Sequence, residues 1–180
     1  MRTAAPLYAH ASAKELPELE DQVRRFLSEG YRYVRVQLSV PGFGAYGASS
    51  AMSPEVLKAR PRYVGSSPVF EPTPCVNNTI KMFDYVRSKV GFDVELIHDA
   101  HERMPPTQAL VLAKALEPHR LFFLEDPFAP EDVSWFQIMR QQTTTPLAMG
   151  ELFVNRNEWL PLVANPGSIS SASTSRRSAA

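Results

Sequence analysis

Cysteine is almost missing from this chain. Cys75 stands alone, so neither an internal disulfide nor a multi-thiolate zinc site can form. A lone thiol suits a reducing cytoplasm, and its ordinary use is packing. Net charge is missing too. Lys plus Arg and Asp plus Glu each total 19, so no overall field draws the chain to nucleic acid or to an anionic membrane, and any binding must come from local groups. No run approaches the roughly 18 apolar residues of a membrane span, and Met1 to His10 lacks the apolar stretch of a secretory signal. The expectation is a soluble, cytoplasmic protein with no nucleic-acid or membrane partner. Glycine is thin at 8 residues, and Gly42, Gly44 and Gly47 match neither the dinucleotide fingerprint nor the P-loop, which argues against a nucleotide site.

What is present suffices for a core, since 44% of the 180 residues are hydrophobic and 21% charged. Leu7 to Ala11 reads as a strand, and Glu18 to Glu29 as a helix with Leu19, Val23, Phe26 and Leu27 on one face before Gly30. Tyr33 to Leu38 reads as a strand. Pro41 to Pro74 is irregular and dense in Pro, Gly and Ser, long enough to suggest a functional loop. Asn78 is placed to cap a helix through Val90, and Val94 to His98 reads as a buried strand. The alternation continues with a helix at Pro106 to Leu116, a strand at Leu121 to Leu124, a helix at Glu131 to Arg140, a strand at Pro146 to Met149 and a helix from Asn155 to Val163. Five strands each followed by a helix imply a parallel sheet, either open and doubly wound or part of a (β/α)8 barrel. From Pro166 onward serine crowds out apolar periodicity, so 166–180 reads as a disordered tail and 1–165 as one α/β domain.

Asp99, Glu125 and Glu151 stand at the C-terminal ends of three successive predicted strands, at a constant interval of 26 residues. In a parallel barrel those ends lie side by side, so the three carboxylates would face one volume. Acidic residues at strand ends also serve as simple helix caps, but even spacing favours a common purpose. Three like charges in one place force protonation unless a cation sits among them. Oxygen-only ligation suits Mg²⁺ and points away from zinc.

The segments ELIHDAHERM, FFLEDPF and LAMGELF resemble the three metal-ligand strands of the enolase superfamily, of the mandelate racemase and muconate lactonizing enzyme type. HDAHERM together with RVQLSVPGFGAYG is similar to the mannonate dehydratase group, and the resemblance runs from about Pro6 to Asn165. It implies a partial (β/α)8 barrel of about the first five βα units, without the family's N-terminal capping domain. It also implies Mg²⁺ held by Asp99, Glu125 and Glu151, with a sugar acid as the small-molecule substrate. By position, His101 matches the acid that protonates the departing hydroxyl, Arg35 and Tyr46 match a base pair in which the guanidinium lowers the phenol's pKa, and His10 matches a substrate contact. Arg35, His10 and His101 would all touch substrate. Without the resemblance, the favoured readings are Arg35 as the partner of an interior carboxylate and Tyr46 as an ordinary loop aromatic. Asp126 and Glu102 read as groups that orient the ligands, and His119, at the start of a strand, carries no role.

The implied reaction is dehydration of D-mannonate to 2-keto-3-deoxy-D-gluconate. Alternatives are an epimeric acid such as D-gluconate, and a non-catalytic or regulatory remnant of the family. The 180-residue chain alone is expected to bind Mg²⁺ weakly if at all, to lack turnover and to self-associate, whereas a full-length form would be a family-like homo-oligomer. Back-translated with GC-rich codons, a shifted frame of the tail reads GLDLVRVHVTQVGG, similar to the family's sixth strand, so the tail is read as frameshift-derived. Sequencing the DNA tests this: a strand-like alternative frame is expected, and an intact serine-rich frame without one refutes it.

Overall fold

A computed structural model describes residues 6–39 and 71–164. The expectations for Tyr46, for most of the Pro41 to Pro74 loop and for the 166–180 tail fall outside those residues. In chain order the elements are β1 (Tyr8–Ala13), α1 (Leu16–Ser28), β2 (Tyr33–Leu38), α2 (Pro72–Val90), β3 (Glu95–Asp99), α3 (Pro106–Ala115), β4 (Phe123–Glu125), α4 (Trp135–Gln142), β5 (Leu147–Ala148) and α5 (Arg156–Ala164). All neighbouring strands pair in parallel, in the order β1-β2-β3-β4-β5. A doubly wound sheet reverses its strand order at a switch point, whereas a barrel adds each new strand on the same side. These five never reverse, so the fold is the barrel type.

The period-2 alternation of the strands sorts their side chains onto two faces. On one face Ala9, Ala11, Ala13, Val34, Val36, Leu96, Leu124 and Leu147 are all buried. Most of them join a core with Leu19 and Val23 of α1, Phe83 and Val86 of α2, Leu112 of α3 and Phe136 of α4. The other face carries a smaller apolar layer, Ile97, Phe123 and Ala148 against Tyr33. Register places the chemically interesting side chains on that second face. His10 pairs with Arg35, Arg35 with Ile97, Ser12 with Gln37, and Asp99 with Glu125.

Helix ends follow local chemistry. After α1, Gly30 at φ 91° occupies the left-handed position, its N–H donates to the Leu27 carbonyl, and the Tyr31 N–H reaches back to Phe26. Phe26 and Tyr31 then meet edge to face at 5.7 Å, the apolar contact that accompanies this stop. Helix α2 begins at Pro72, not at Asn78. Pro72 and Pro74 fall in the first turn, where a missing N–H costs no helical bond, so they start the helix rather than exclude it. The expected helix from Glu131 is shorter because Pro130–Asp132 forms a separate 3-10 turn. Among the described residues no helix is long and apolar enough to cross a membrane.

Below the sheet, opposite the site, Arg87 of α2 ties the strand starts together. Its buried guanidinium donates to the carbonyls of His119, Gly91, Val94 and Arg120 at 2.8 to 3.0 Å. Burial lowers its pKa to about 10, which leaves it charged at neutral pH. His119 is buried nearby and meets Asp84 at 3.0 Å, a packing role away from the strand C-termini. Replacing Arg87 by Met strands several carbonyls without a donor, and urea unfolding should show a loss of about 3 kcal/mol. Arg25→Met, which removes an exposed i,i+4 pair with Glu29 and a cation–π contact with the Phe26 ring, should cost about 1 kcal/mol. Equal losses would show that the Arg87 bonds do not support the fold.

Candidate active site

The C-terminal ends of the strands continue their pairing past the last strand residues. Ala100 N–H donates to Glu125 O, Glu102 N–H to Asp126 O, and Asp126 N–H to Ala148 O, each at 2.9 Å. Three non-glycine residues here hold positive φ: His101 at 54°, Glu102 at 51° and Asp126 at 41°. Such backbone is costly for L-residues and concentrates where chemistry demands a particular side-chain aim.

Arg35 lies at the centre. One of its terminal nitrogens donates to Asp99 Oδ2 at 2.6 Å and to Glu125 Oε2 at 3.3 Å. The other lies 3.2 Å from His10 Nδ1. His101 closes on Asp99 twice, through its backbone N–H to Oδ1 at 2.9 Å and its ring Nε2 to Oδ2 at 3.2 Å. Five of the seven residues named from the sequence therefore converge: His10, Arg35, Asp99, His101 and Glu125. Glu151 lies just after β5, exposed, close enough to raise the pKa of both Asp99 and Glu125. Among the described residues no three His, Cys, Asp or Glu side chains form a ready metal cluster. Tyr46, expected to pair with Arg35, lies outside the described residues; among the described groups Arg35 reaches the carboxylates of Asp99 and Glu125.

Burial dominates the electrostatics. Asp99 is pushed up to about 6 although Arg35 sits against it, because loss of water outweighs the guanidinium's pull. Glu125 is raised by burial and then by Asp99. His101 and His10 are lowered, first by burial and then by Arg35, so both rings favour the neutral form. Asp126, which accepts the Gly150 N–H at 2.8 Å, is raised by burial to about 8, and its Oδ2 is buried without a partner. A cavity of about 80 Å³ opens beside the network, lined by Ser12, Gln37, Asn78, Thr79, Asp99 and His101 among others.

Sequence reasoning missed Gln37. Its amide contacts His10 Nε2 at 2.8 Å, His101 Nδ1 at 3.1 Å and the Asp99 carbonyl at 3.2 Å. The signal was available, since a residue two after Arg35 on one strand shares its face.

Asp99 and Glu125 are oxygen donors of the kind a hard divalent cation takes, while Glu151 is exposed and, among the described residues, no three-ligand cluster is assembled. Three carboxylates against one guanidinium leave an excess of two negative charges, and the two buried carboxyls pay for ionisation with raised pKa values. A cation with oxygen-only preferences would offset both.

The enolase C-terminal domain-like family matches residues 18–168. The chain belongs to that family. Among its relatives are the D-galactonate dehydratase family member RspA of Pantoea ananatis (strain LMG 20103) and a D-mannonate dehydratase of Rhizorhabdus wittichii. The first is 43% identical over 171 residues, covering 91% of this chain and 41% of that protein. The second is 38% identical over 163 residues, covering 84% and 38%. A solved enolase from Pantoea ananatis with bound D-gluconate and Mg superposes with a TM-score of 0.77 at 42% identity, over 90% of this chain and 41% of that one. The chain thus spans about two fifths of the length of these relatives. Relatives described as D-galactonate dehydratase family members and as a D-mannonate dehydratase both match, so the comparisons support the enolase C-terminal domain-like family and do not single out the mannonate dehydratase group.

This enolase-family chain should show the cost of its buried acid in its pH dependence. Asp126 in the folded state holds a proton that the unfolded state releases near 3.8. Its contribution is therefore fully present at low pH, declines from about pH 4 and is lost above about pH 8, amounting to several kcal/mol. Asp126→Asn keeps an oxygen for the Gly150 N–H and does not ionise. Urea unfolding from pH 4 to 9 should show wild type losing stability relative to this variant as pH rises, and parallel curves would contradict the buried ionisation.

Proposed function

We propose that this chain supplies the metal-binding and proton-donating half of a sugar-acid dehydratase site, with D-mannonate the first substrate to test. The observation that carries the reading is the convergence of Asp99, Glu125, Arg35, His10 and His101 at the C-terminal end of a parallel barrel-type sheet, where barrel enzymes keep their chemistry. D-Gluconate is a second substrate reading, favoured by the D-gluconate bound in the 42%-identical Pantoea enolase.

Asp99, Glu125 and Glu151 would hold Mg²⁺, which when bound offsets the second negative charge that builds on a substrate carboxylate as the adjacent C–H proton leaves. The chain's own residues account for the remaining needs. Arg35 presents donors toward an anionic substrate, and His10 lines the same inner face of the sheet beside it. His101 gives a proton to the hydroxyl departing from the next carbon, which leaves as water. Tyr46, which the family resemblance pairs with the Arg35 guanidinium to favour the phenolate, would take the proton next to the carboxylate. Asp99, His101 and Glu125 are buried, which limits competition from water at those three groups.

The test is turnover with Mg²⁺ on D-mannonate, D-gluconate and D-galactonate, measured as 2-keto-3-deoxy acid. It is run on the 180-residue chain and on a fusion that continues it in frame with the remaining sequence of the Pantoea relative. The chain alone should give no detectable turnover. The fusion should act on D-mannonate, and Glu125→Gln in the fusion should lower kcat/KM at least about a hundredfold, the loss usual for a metal-site change. A folded fusion inert on all three acids would overturn the dehydratase reading, and product from D-gluconate alone would move the substrate.

A further inference from the structure

Four side chains in the site, Arg35, His10, Gln37 and His101, form one continuous hydrogen-bond chain, and the guanidinium at its head fixes its polarity. Arg35 can only donate, so His10 Nδ1, 3.2 Å from its guanidinium, must accept. A neutral His10 then carries its proton on Nε2, and the Gln37 atom 2.8 Å away is the amide oxygen. The Gln37 nitrogen is left to face the Asp99 carbonyl at 3.2 Å, an acceptor only, which fixes the same amide orientation independently. That nitrogen also faces His101 Nδ1 at 3.1 Å, so His101 Nδ1 accepts as well. The His101 proton therefore sits on Nε2, which lies 3.2 Å from Asp99 Oδ2. Donation runs one way from the guanidinium through His10 and Gln37 to His101, and every link agrees with its neighbours.

We infer that Gln37 is a positioning residue that sets the tautomers of His10 and His101, holding each with its proton on Nε2. An amide is the one neutral side chain that offers a donor and an acceptor at adjacent atoms, and here each atom meets a different histidine. A glutamate of the same shape would accept at both positions and break the chain. A methionine would remove both contacts and leave each ring free to choose. His98 serves as a contrast within the same molecule: its Nδ1 lies 3.1 Å from the Val36 carbonyl, which obliges the proton to sit on Nδ1.

The consequence for chemistry rests on the dehydratase reading. The ring that the proposed reaction uses as its acid is held by Gln37 in one orientation and one tautomer. The tautomer assignment itself needs no substrate, metal or turnover, so its failure and the failure of the dehydratase reading are separable.

The chain contains only four histidines, which makes the test direct. Histidine-¹⁵N labelling of the full chain at about pH 8, above the usual imidazole range, resolves each ring's tautomer through two-bond proton–nitrogen correlations assigned through the backbone. In the wild type, His10 and His101 should show the Nε2–H pattern and His98 the Nδ1–H pattern. In Gln37→Glu, His101 should gain a proton on Nδ1 while His98 is unchanged, a response that general loosening would not produce. If the His98 signature disappears, that variant has lost its fold and Gln37→Met is read instead, with His101 expected to average between tautomers. A wild-type His101 protonated on Nδ1 or averaged would overturn the inference, as would an unaltered Nε2–H pattern in a folded Gln37 variant.

Discussion

A single guanidinium decides the character of this site. Asp99 and Glu125 come from adjacent strands whose parallel register sets them side by side, and both are largely removed from water. Two buried carboxylates so placed repel each other and would be neutral unless compensated. Arg35, one strand further along, reaches both. Its compensation is incomplete, since Asp99 still lies near 6 and Glu151 adds a further negative charge at the rim. The site thus retains a deficit of positive charge, which is the property a divalent-cation site needs.

The sheet exists to hold that arrangement. Small alanines on β1 and β-branched valines on β2 face the helices, so that the opposite positions, His10, Arg35 and Gln37, are free to be polar on the inner face. Left-handed backbone at His101, Glu102 and Asp126 turns the chain sharply after β3 and β4. That turning returns the His101 N–H to Asp99 and lets Asp126 bridge to Gly150. Arg87 secures the opposite end of the same strands, so the fold is tied at both ends of the sheet.

Much of this was legible beforehand, for identifiable reasons. Strand and helix order followed from periodicity, and the placement of Asp99 and Glu125 followed from equal spacing along a repeating βα unit. The parallel barrel order needed the structure, because composition cannot distinguish an open sheet from a closed one. The start of α2 was misread because Pro72 and Pro74 break helices anywhere except the first turn, where they actually lie. Arg35 carried two sequence readings, and only geometry could show its reach to the carboxylates on two other strands. Gln37 escaped notice because an amide has no charge or pKa to draw attention, although its strand position placed it on the right face. The exposed position of Glu151 was not legible either: β5 spans only Leu147–Ala148, so the strand ends before it can aim the third carboxylate.

The dependence of the site on Arg35 is tested most directly by the stability of Arg35→Met against wild type as a function of pH. With the guanidinium gone, ionised Asp99 and Glu125 lose their compensation, while their protonated forms lose little. The substitution should therefore cost about 3 kcal/mol or more near pH 8, and the cost should shrink as pH falls below about 6, where Asp99 takes up its proton. A loss of the same size at every pH would show that Arg35 acts by packing alone, and would contradict the electrostatic origin of the site.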